Sequence, residues 1–254
     1  MLAVVIPIRP RNDPAQYDDL ADMWWDRRGG FVMLHWLAAA RAELVPPARP
    51  GAVLVDVGCG GGLLGPHLHG YRHIGADLTG SALHRAREHG VIPVRADAAA
   101  LPFRDGSADV VVAGEILEHV TDLPAVVAEL CRVLAPGGTL VIDAIAATRL
   151  ARIVAVSLAE RIPGGPPRRL HDPALFVDRA ELARLCAGYG VPLRLRGLRP
   201  SLLGYAGWLT RRRESVRMLP SRLSAVLFQA VGVKGTTMNE PRDPAVVDDK
   251  EAIW

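Results

Sequence analysis

The stretch Val53-Leu-Val-Asp-Val-Gly-Cys-Gly-Gly-Gly62 decides the fold of this chain. Its apolar run, Val53–Val57, is interrupted only by Asp56 and is typical of a buried parallel strand. Four glycines in the next five residues allow a tight turn and let a ligand approach the backbone without meeting a Cβ atom. Leu63–Leu68 then has helical spacing. Strand, glycine loop and helix in succession predict a site for a nucleotide-like ligand at the carboxyl ends of parallel strands.

The glycine loop does not match two other nucleotide-binding loops. It lacks the Gly-Lys-Ser/Thr ending of a loop that binds nucleoside triphosphates. It also departs from the G-x-G-x-x-G pattern of dinucleotide-binding folds, because Leu63 stands where the third glycine after Gly58 and Gly60 should be. The ligand is therefore expected to be neither a triphosphate nor a dinucleotide.

Apolar runs and helical periodicities continue the alternation along the chain. Two helices, Tyr17–Trp25 and Phe31–Val45, are predicted ahead of the first strand. Further helices are predicted at Ser81–His89, Pro124–Leu134, Leu150–Ile162 and Asp178–Ala187. Further strands are predicted at His73–Asp77, Pro93–Ala96, Ala108–Ala113, Thr139–Ile145, Pro192–Leu198 and Ser224–Val231. This order predicts an α/β fold with a doubly wound, mostly parallel sheet of seven strands and N-terminal lid helices.

The composition favours a folded, reduced protein. The 254 residues, 50% hydrophobic and 22% charged, suffice for one α/β domain with a sizeable core. The three cysteines, Cys59, Cys131 and Cys186, are widely spaced without a zinc-binding pattern, which favours a cytoplasmic protein. Met1–Ile8 lacks the basic start and cleavage site of a signal peptide. No uncharged apolar run reaches the roughly 18 residues of a membrane-spanning helix.

Acidic residues stand at the carboxyl ends of the predicted second and third strands. Asp77 lies about twenty residues after the glycine loop, where a carboxylate can accept hydrogen bonds from both hydroxyls of a ribose. Asp97 follows the next strand and is well placed to accept from an adenine amine. These positions predict an adenosine-like ligand.

The stretch Gly114–Val120 carries two acids and a histidine directly after the predicted fourth strand. If it forms a helical turn, Glu115, Glu118 and His119 project from one face, because they are spaced i, i+3 and i+4. Such a face could bind Mg²⁺ or Mn²⁺, which prefer oxygen ligands. Alternatively, His119 alone is a general base, or the stretch merely begins a helix.

These residues together resemble one family. Class I methyltransferases, which use S-adenosylmethionine (SAM), have motifs that resemble Asp56–Gly62, Asp77, Asp97 and Pro136-Gly-Gly-Thr139. The UbiG-type O-methyltransferases have stretches similar to Tyr17–Asp26, Glu115–Val120 and Ile162–Val177. Enzymes of this type methylate polyprenyl catechols and demethylubiquinols. The resemblance implies a Rossmann-like fold and SAM-dependent O-methylation of a small aromatic acceptor.

The resemblance also implies roles for individual residues. Contacts with SAM are expected from Arg41, Asp56, Gly58, Cys59, Gly60, Asp77, Leu78, Asp97, Ala98 and Gly114. Catalytic roles and a divalent-metal site, with Mg²⁺ as the candidate ion, are expected for Glu115, Glu118 and His119. Contacts with the substrate are expected from His171, Trp25 and His35.

The same resemblance divides the chain. Lid helices are expected at residues 1–48, and a methyltransferase domain at 49–235. Within that domain, an insertion at about 146–177 is expected to face substrate or membrane, and its part near 146–169 matches a segment implicated in membrane association. Residues 236–254 are polar and charged and are predicted to be disordered.

Arginines dominate the second half of the chain. Fifteen arginines and five acidic residues lie between Ala144 and Arg222, a net charge of +10 for that stretch. Basic surface attracts the phosphates of nucleic acid or of anionic lipid, unless arginine serves here only as the solubilising cation. Leu150–Ile162 combines aliphatic residues with arginines, which predicts a segment that lies at a membrane interface. A nucleic-acid partner is less favoured, because no RNA-binding aromatic motif is present.

The acceptor is less well determined than the methyl donor. Arg168-Arg-Leu170 stands where the family has Lys-Gly-Thr, and the segment after Leu198 is more basic than expected. Both departures lie where substrate should bind. The main prediction is a cytoplasmic enzyme, peripheral at the inner face of the membrane, that methylates a polyprenyl catechol or quinol. The alternatives are a soluble natural product or a sugar and, less favoured, RNA.

Overall fold

The computed structural model describes residues 9–236, which fold around a sheet of eight strands. The predictions for Met1–Ile8 and for the tail beyond Thr236 fall outside these residues. The strands are β1 Val53–Val57, β2 Arg72–Asp77, β3 Ile92–Arg95, β4 Ala108–Gly114, β5 Leu134–Ile145, β6 Leu193–Pro200, β7 Met218–Ser221 and β8 Leu227–Val233. Their order across the sheet is β3-β2-β1-β4-β5-β8-β6-β7.

The first five strands are parallel, and the last three are antiparallel to their neighbours. Because β8 is antiparallel to both β5 and β6, β6 runs in the same direction as β5. Six strands therefore end at one edge of the sheet, the edge where open α/β sheets bind ligands. The predicted doubly wound, mostly parallel fold is confirmed.

The sheet has one strand more than the seven that the sequence predicts. The additional strand is β7, four residues that pair with β6 at the edge of the sheet. It contains Pro220 and is too short to show an alternating pattern, so periodicity alone does not reveal it.

Helices cover both faces of the sheet. They are α1 Ala15–Asp19, α2 Val32–Ala42, α3 Gly80–Glu88, α4 Leu123–Val133, α5 Arg149–Ala151, α6 Arg179–Gly188 and α7 Leu202–Leu209. Asp122, Asp178 and Ser201 fix the starts of α4, α6 and α7, because their side chains accept hydrogen bonds from first-turn amides. The main core includes Leu130 of α4 and Leu140 of β5, both fully buried.

Three predicted helices differ from those observed. Tyr17–Trp25 is divided into α1 and a 3₁₀ turn, Ala21–Met23. The helix predicted at Leu63–Leu68 is wrong: only Gly65–His67 forms a 3₁₀ turn, because glycine and proline disfavour a longer helix there. In Leu150–Ile162, α5 continues into a wide π-helix, Arg152–Leu158, and a 3₁₀ turn, Ala159–Arg161.

Gly62 shows why the loop after β1 needs glycine. Its φ is +77°, a conformation that side chains with a Cβ atom rarely adopt. A Cβ atom at this position would lie 2.8 Å from the Cα of Ala86 in α3. The loop and the helix therefore pack backbone to backbone beside the carboxyl edge of the sheet.

Among residues 9–236, none of the helices has the length and apolar character needed to cross a bilayer.

Candidate active site

A cavity of about 440 Å³ runs along the carboxyl edge of the sheet. At the β2 side it is lined by Asp77 and Asp97, and at the far side by Arg199 of β6 and Met218 of β7. The segment before β1 also contributes to its wall through Asn12, Pro14, Tyr17, Trp24, Phe31, Met33 and Leu34.

Asp77 is held by the loop that follows β1. Its Oδ2 accepts a hydrogen bond from the amide of Gly60 (2.9 Å), and its Oδ1 accepts one from the amide of Thr79 (2.8 Å). Burial raises the pKa of Asp77, and these two amides oppose the shift. The amides of Gly58 and Cys59 both donate to the carbonyl of Ala76, at 2.8 and 3.2 Å. The carboxylate and the glycine loop thus form one rigid unit that faces the cavity.

The other residues predicted to contact SAM after β1, β2 and β3 also line the cavity. They are Asp56, Gly58, Cys59, Gly60, Leu78, Asp97 and Ala98. Asp56 lies 3.4 Å from Nε2 of His73, and Asp97 accepts from the amide of Ala99 at 2.9 Å. Cys59 is buried, and burial raises the pKa of its thiol well above the usual value, so it serves for packing and not as a nucleophile.

Arg41 reaches the site from α2 and forms a buried ion pair with Asp143 of β5. Its Nε and Nη2 donate to the two carboxylate oxygens at 2.8 and 2.7 Å. Although burial lowers the pKa of Arg41, the Asp143 carboxylate raises it overall. A Cβ atom on Gly114 would lie 1.8 Å from Cζ of Arg41, so glycine is required where β4 ends. Arg41 and Gly114, both expected to contact SAM, line the cavity.

The helical face predicted for Glu115, Glu118 and His119 does not form. Glu115 has a φ of +54° and donates its amide to the carbonyl of Asp143, and only Leu117–His119 forms a 3₁₀ turn. The structure instead groups Glu118 and His119 with His171, so that one ligand atom from each lies within 4.8 Å of the others. Glu115 lines the cavity but is not part of this group.

Burial determines the charge of this cluster. Burial lowers the pKa of His119 to about 3, and the neighbouring His171 contributes to this shift. Burial likewise lowers the pKa of His171 to about 4, and the positive charge of Arg11 contributes. Burial raises the pKa of Glu118 to about 8 and, together with the Glu118 charge, raises that of Glu115. Both histidines are therefore neutral near pH 7, and the imidazole rings stack with centroids 5.2 Å apart.

Two residues of the N-terminal segment orient His119. Nδ2 of Asn12 donates to the carbonyl of His119 at 2.9 Å, which directs Oδ1 of Asn12 toward Nδ1 of the imidazole. The hydroxyl of Tyr17 lies 3.3 Å from Nε2. The sequence analysis missed both residues, and the only signal is that Tyr17 lies in a stretch resembling the family.

Two predicted substrate contacts lie away from the cavity. Trp25 donates from Nε1 to the carbonyl of Gly61 at 3.0 Å and stacks on His89 with ring centroids 3.4 Å apart. The imidazole of His35 is engaged with the carbonyl of Trp24 at 2.8 Å. Neither Trp25 nor His35 lines the cavity, whereas Trp24 and His171 do.

Comparisons with known proteins show which proteins the chain is similar to. A methyltransferase-domain family model matches residues 55–142. The ubiquinone biosynthesis O-methyltransferase of Albidiferax ferrireducens is 33% identical over 78% of this chain and 85% of its own length. That of Ralstonia nicotianae is 36% identical over 73% of this chain and 84% of its own. A SAM-dependent methyltransferase of Thermotoga maritima shares the fold, with 16% identity, a TM-score of 0.60 and coverage of 86% of this chain and 96% of its own.

Proposed function

The chain belongs to the ubiquinone-biosynthesis O-methyltransferase family within the class I SAM-dependent methyltransferases, and from that premise we propose that it methylates a phenolic hydroxyl of a polyprenyl catechol or quinol. SAM is the methyl donor. The proposal therefore concerns the acceptor and the way in which this chain activates it.

The observation that carries the proposal is the change in character of the cavity along its length. Asp77 and the glycine loop suit an adenosine at one end. His119 and His171 provide polar contacts for an acceptor hydroxyl. The wall continues with aliphatic side chains, among them Val154, Leu158, Leu198, Leu223 and Leu227. A prenyl tail would cover this apolar surface, whereas a sugar would leave it in contact with water.

The residues around the acceptor hydroxyl support proton removal during methyl transfer. The SAM sulfonium is a strong electrophile, so the enzyme mainly has to align donor and acceptor. A phenol, with a pKa of about 10, is protonated at neutral pH and needs a proton acceptor. His119 offers Nε2, the nitrogen beside Tyr17. Because burial opposes a positive charge on this imidazole, proton transfer to it accompanies methyl transfer and does not precede it. This step uses only residues of the chain itself, and the Mg²⁺ site expected at Glu115, Glu118 and His119 stays a prediction.

The acceptor assignment predicts a preference for a prenylated catechol. We expect kcat/KM with a short prenyl tail to exceed that with the bare catechol about tenfold, because burial of the tail removes apolar surface from water. Transfer of a labelled methyl group from SAM measures kcat/KM for each of the two acceptors. The Leu158→Asn variant should lose much of this preference, whereas Leu150→Asn should keep it, because Leu150 is exposed and does not line the cavity. Equal kcat/KM for the two acceptors would favour a soluble substrate.

We also propose that the cavity entrance faces an anionic membrane. The helical segment at 149–161 exposes Leu150, Ile153 and Leu158 beside arginines. The neighbouring helix α7 exposes Leu202 (73%) and Leu203 (85%), and its Tyr205 hydroxyl donates to the carbonyl of Pro163 at 2.7 Å, just beyond that segment. Exposed aliphatic side chains flanked by arginines are the signature of interfacial binding.

Vesicle sedimentation tests the membrane proposal. The protein should bind vesicles containing anionic lipid at low salt and be released by high salt. Replacing Arg149 and Arg152 with glutamine should weaken binding about 30-fold at low salt, since each arginine near an anionic surface contributes roughly 1 kcal/mol. The matched control replaces Arg72 and Arg104, which are also exposed but lie at the opposite edge of the sheet. Wild-type protein that stays in the supernatant at low salt would contradict the proposal.

A further inference from the structure

The aromatic ring of Tyr17 lies between the glycine loop and His119. Trp24 packs directly on the loop, since a Cβ atom on Gly60 would lie 2.4 Å from Cη2 of Trp24. Tyr17 stacks on Trp24 and on Phe31, with ring centroids 6.0 Å apart in each pair. It also meets the imidazole of His119 edge-on, with centroids 6.0 Å apart. Tyr17 therefore stands between the loop expected to hold SAM and the imidazole that accepts the proton.

Asn12 fixes the direction of the hydrogen bonds around His119. Its Nδ2 donates to the backbone carbonyl of His119 at 2.9 Å, so its Oδ1 faces Nδ1 of the imidazole and can only accept there. The proton of the neutral ring therefore lies on Nδ1, and Nε2 carries the lone pair. The hydroxyl of Tyr17, 3.3 Å from Nε2, is then the donor in that contact.

The oxygen of Tyr17 keeps its own capacity to accept a hydrogen bond. A phenolic hydroxyl donates one hydrogen bond and can also accept. Within residues 9–236, the contact with Nε2 of His119 is the one hydrogen bond that this hydroxyl makes, and Tyr17 lines the cavity. An acceptor hydroxyl beside Tyr17 can therefore donate to its oxygen without displacing any group. Direct contact with Nε2 would instead require the Tyr17 hydroxyl to move away.

From this geometry we propose that Tyr17 is a catalytic residue that relays the proton of the acceptor hydroxyl to His119. As the acceptor oxygen takes the methyl group, the S–C bond of SAM breaks and its electron pair stays on sulfur. The acceptor proton passes to the oxygen of Tyr17, and the proton of Tyr17 passes to Nε2 of His119. The tyrosine ends as it began, and the imidazole carries the positive charge that the sulfonium loses. The inference rests on the proposed function for the role of His119 as proton acceptor.

Nitrogen NMR of protein labelled at histidine tests the direction of the hydrogen bonds without any acceptor. The signals of His119 are those missing from the His119→Gln variant. We expect Nδ1 to be protonated and Nε2 unprotonated. Tyr17→Phe should shift the Nε2 signal and keep the tautomer, whereas Asn12→Ala should populate both tautomers. A protonated Nε2 in the wild type would overturn the inference, because Tyr17 would then be the acceptor in that contact and have no proton to pass on.

Single-turnover methylation of a catechol tests the relay itself. Tyr17→Phe should lower the rate at least about tenfold, because general acid–base groups contribute on the order of a hundredfold or more. SAM affinity should stay within about twofold, since phenylalanine keeps the stacking on Trp24. The wild-type rate should depend on the D2O fraction along a curve, as two moving protons require, and the rate of Tyr17→Phe along a straight line. Tyr71→Phe is the matched control, because the Tyr71 hydroxyl donates to the carbonyl of Pro46 and does not line the cavity.

The relay and the acceptor assignment fail in different ways. A wild-type rate in Tyr17→Phe, or a straight-line dependence on D2O in the wild type, would overturn the relay and leave the acceptor assignment intact. A catechol that the wild-type protein does not methylate would overturn the acceptor assignment. The NMR result would then decide the hydrogen-bond direction on which the relay depends.

Discussion

Replacing Arg41 with methionine should lower the free energy of unfolding by about 3–5 kcal/mol at pH 7. The substitution leaves the carboxylate of Asp143, which is 1% exposed, without the two hydrogen bonds that Arg41 provides. A buried charge without its partner keeps its full desolvation cost, which is why breaking such a pair costs more than a surface pair contributes. Urea unfolding followed by tryptophan fluorescence measures the change.

The double variant Arg41→Met/Asp143→Leu distinguishes this cause from a simple loss of packing. Removing both charges should restore most of the stability, because a buried ion pair contributes little more than apolar residues of similar volume. As a surface control, Asp22→Asn breaks the contact with Arg85, where the Asp22 side chain is 92% exposed, and should cost less than about 1 kcal/mol. If Arg41→Met lowers the free energy of unfolding by less than about 1 kcal/mol, the ion pair between Arg41 and Asp143 is hydrated.

Replacing Asp77 with alanine should weaken SAM binding about 10- to 100-fold, a loss of roughly 1.5–3 kcal/mol. A carboxylate can accept about four hydrogen bonds, and the amides of Gly60 and Thr79 use two of them. The remaining lone pairs are available to the two ribose hydroxyls. Alanine removes these acceptors and also releases the amide of Gly60, so the glycine loop loses its support. Calorimetric titration with SAM measures the affinity.

A distant carboxylate provides the control for Asp77. Asp105 lies before β4 at the opposite edge of the sheet, and its side chain is 82% exposed. Asp105→Ala makes the same change in charge and side chain without touching the cavity, so SAM affinity should stay at the wild-type value. Unchanged affinity in Asp77→Ala would show that the ribose is bound elsewhere.

The donor side of the active site could be predicted from the sequence because its determinants are local. A strand, its glycine loop and an acid at the end of the next strand are each recognised from neighbouring residues. Parallel pairing then brings their ends to one edge without further information. Asp77, Gly58 and Gly60 accordingly line the cavity as the pattern predicts.

The rest of the site depends on residues that are distant in sequence. Arg41 and Asp143 are 102 positions apart, and no periodicity links them. The φ of +54° at Glu115 breaks the predicted helical turn, and the loop before α6 brings His171 to Glu118 and His119. The resemblance implies that Trp25 and His35 contact substrate, but Trp25 stacks on His89, His35 is engaged with the carbonyl of Trp24, and neither lines the cavity. The sequence by itself therefore determined the first five strands of the sheet and the residues that line the cavity after β1 and β2, through local periodicity and glycine conformation. Only the tertiary structure decided which polar groups are buried together, because that depends on how distant segments pack.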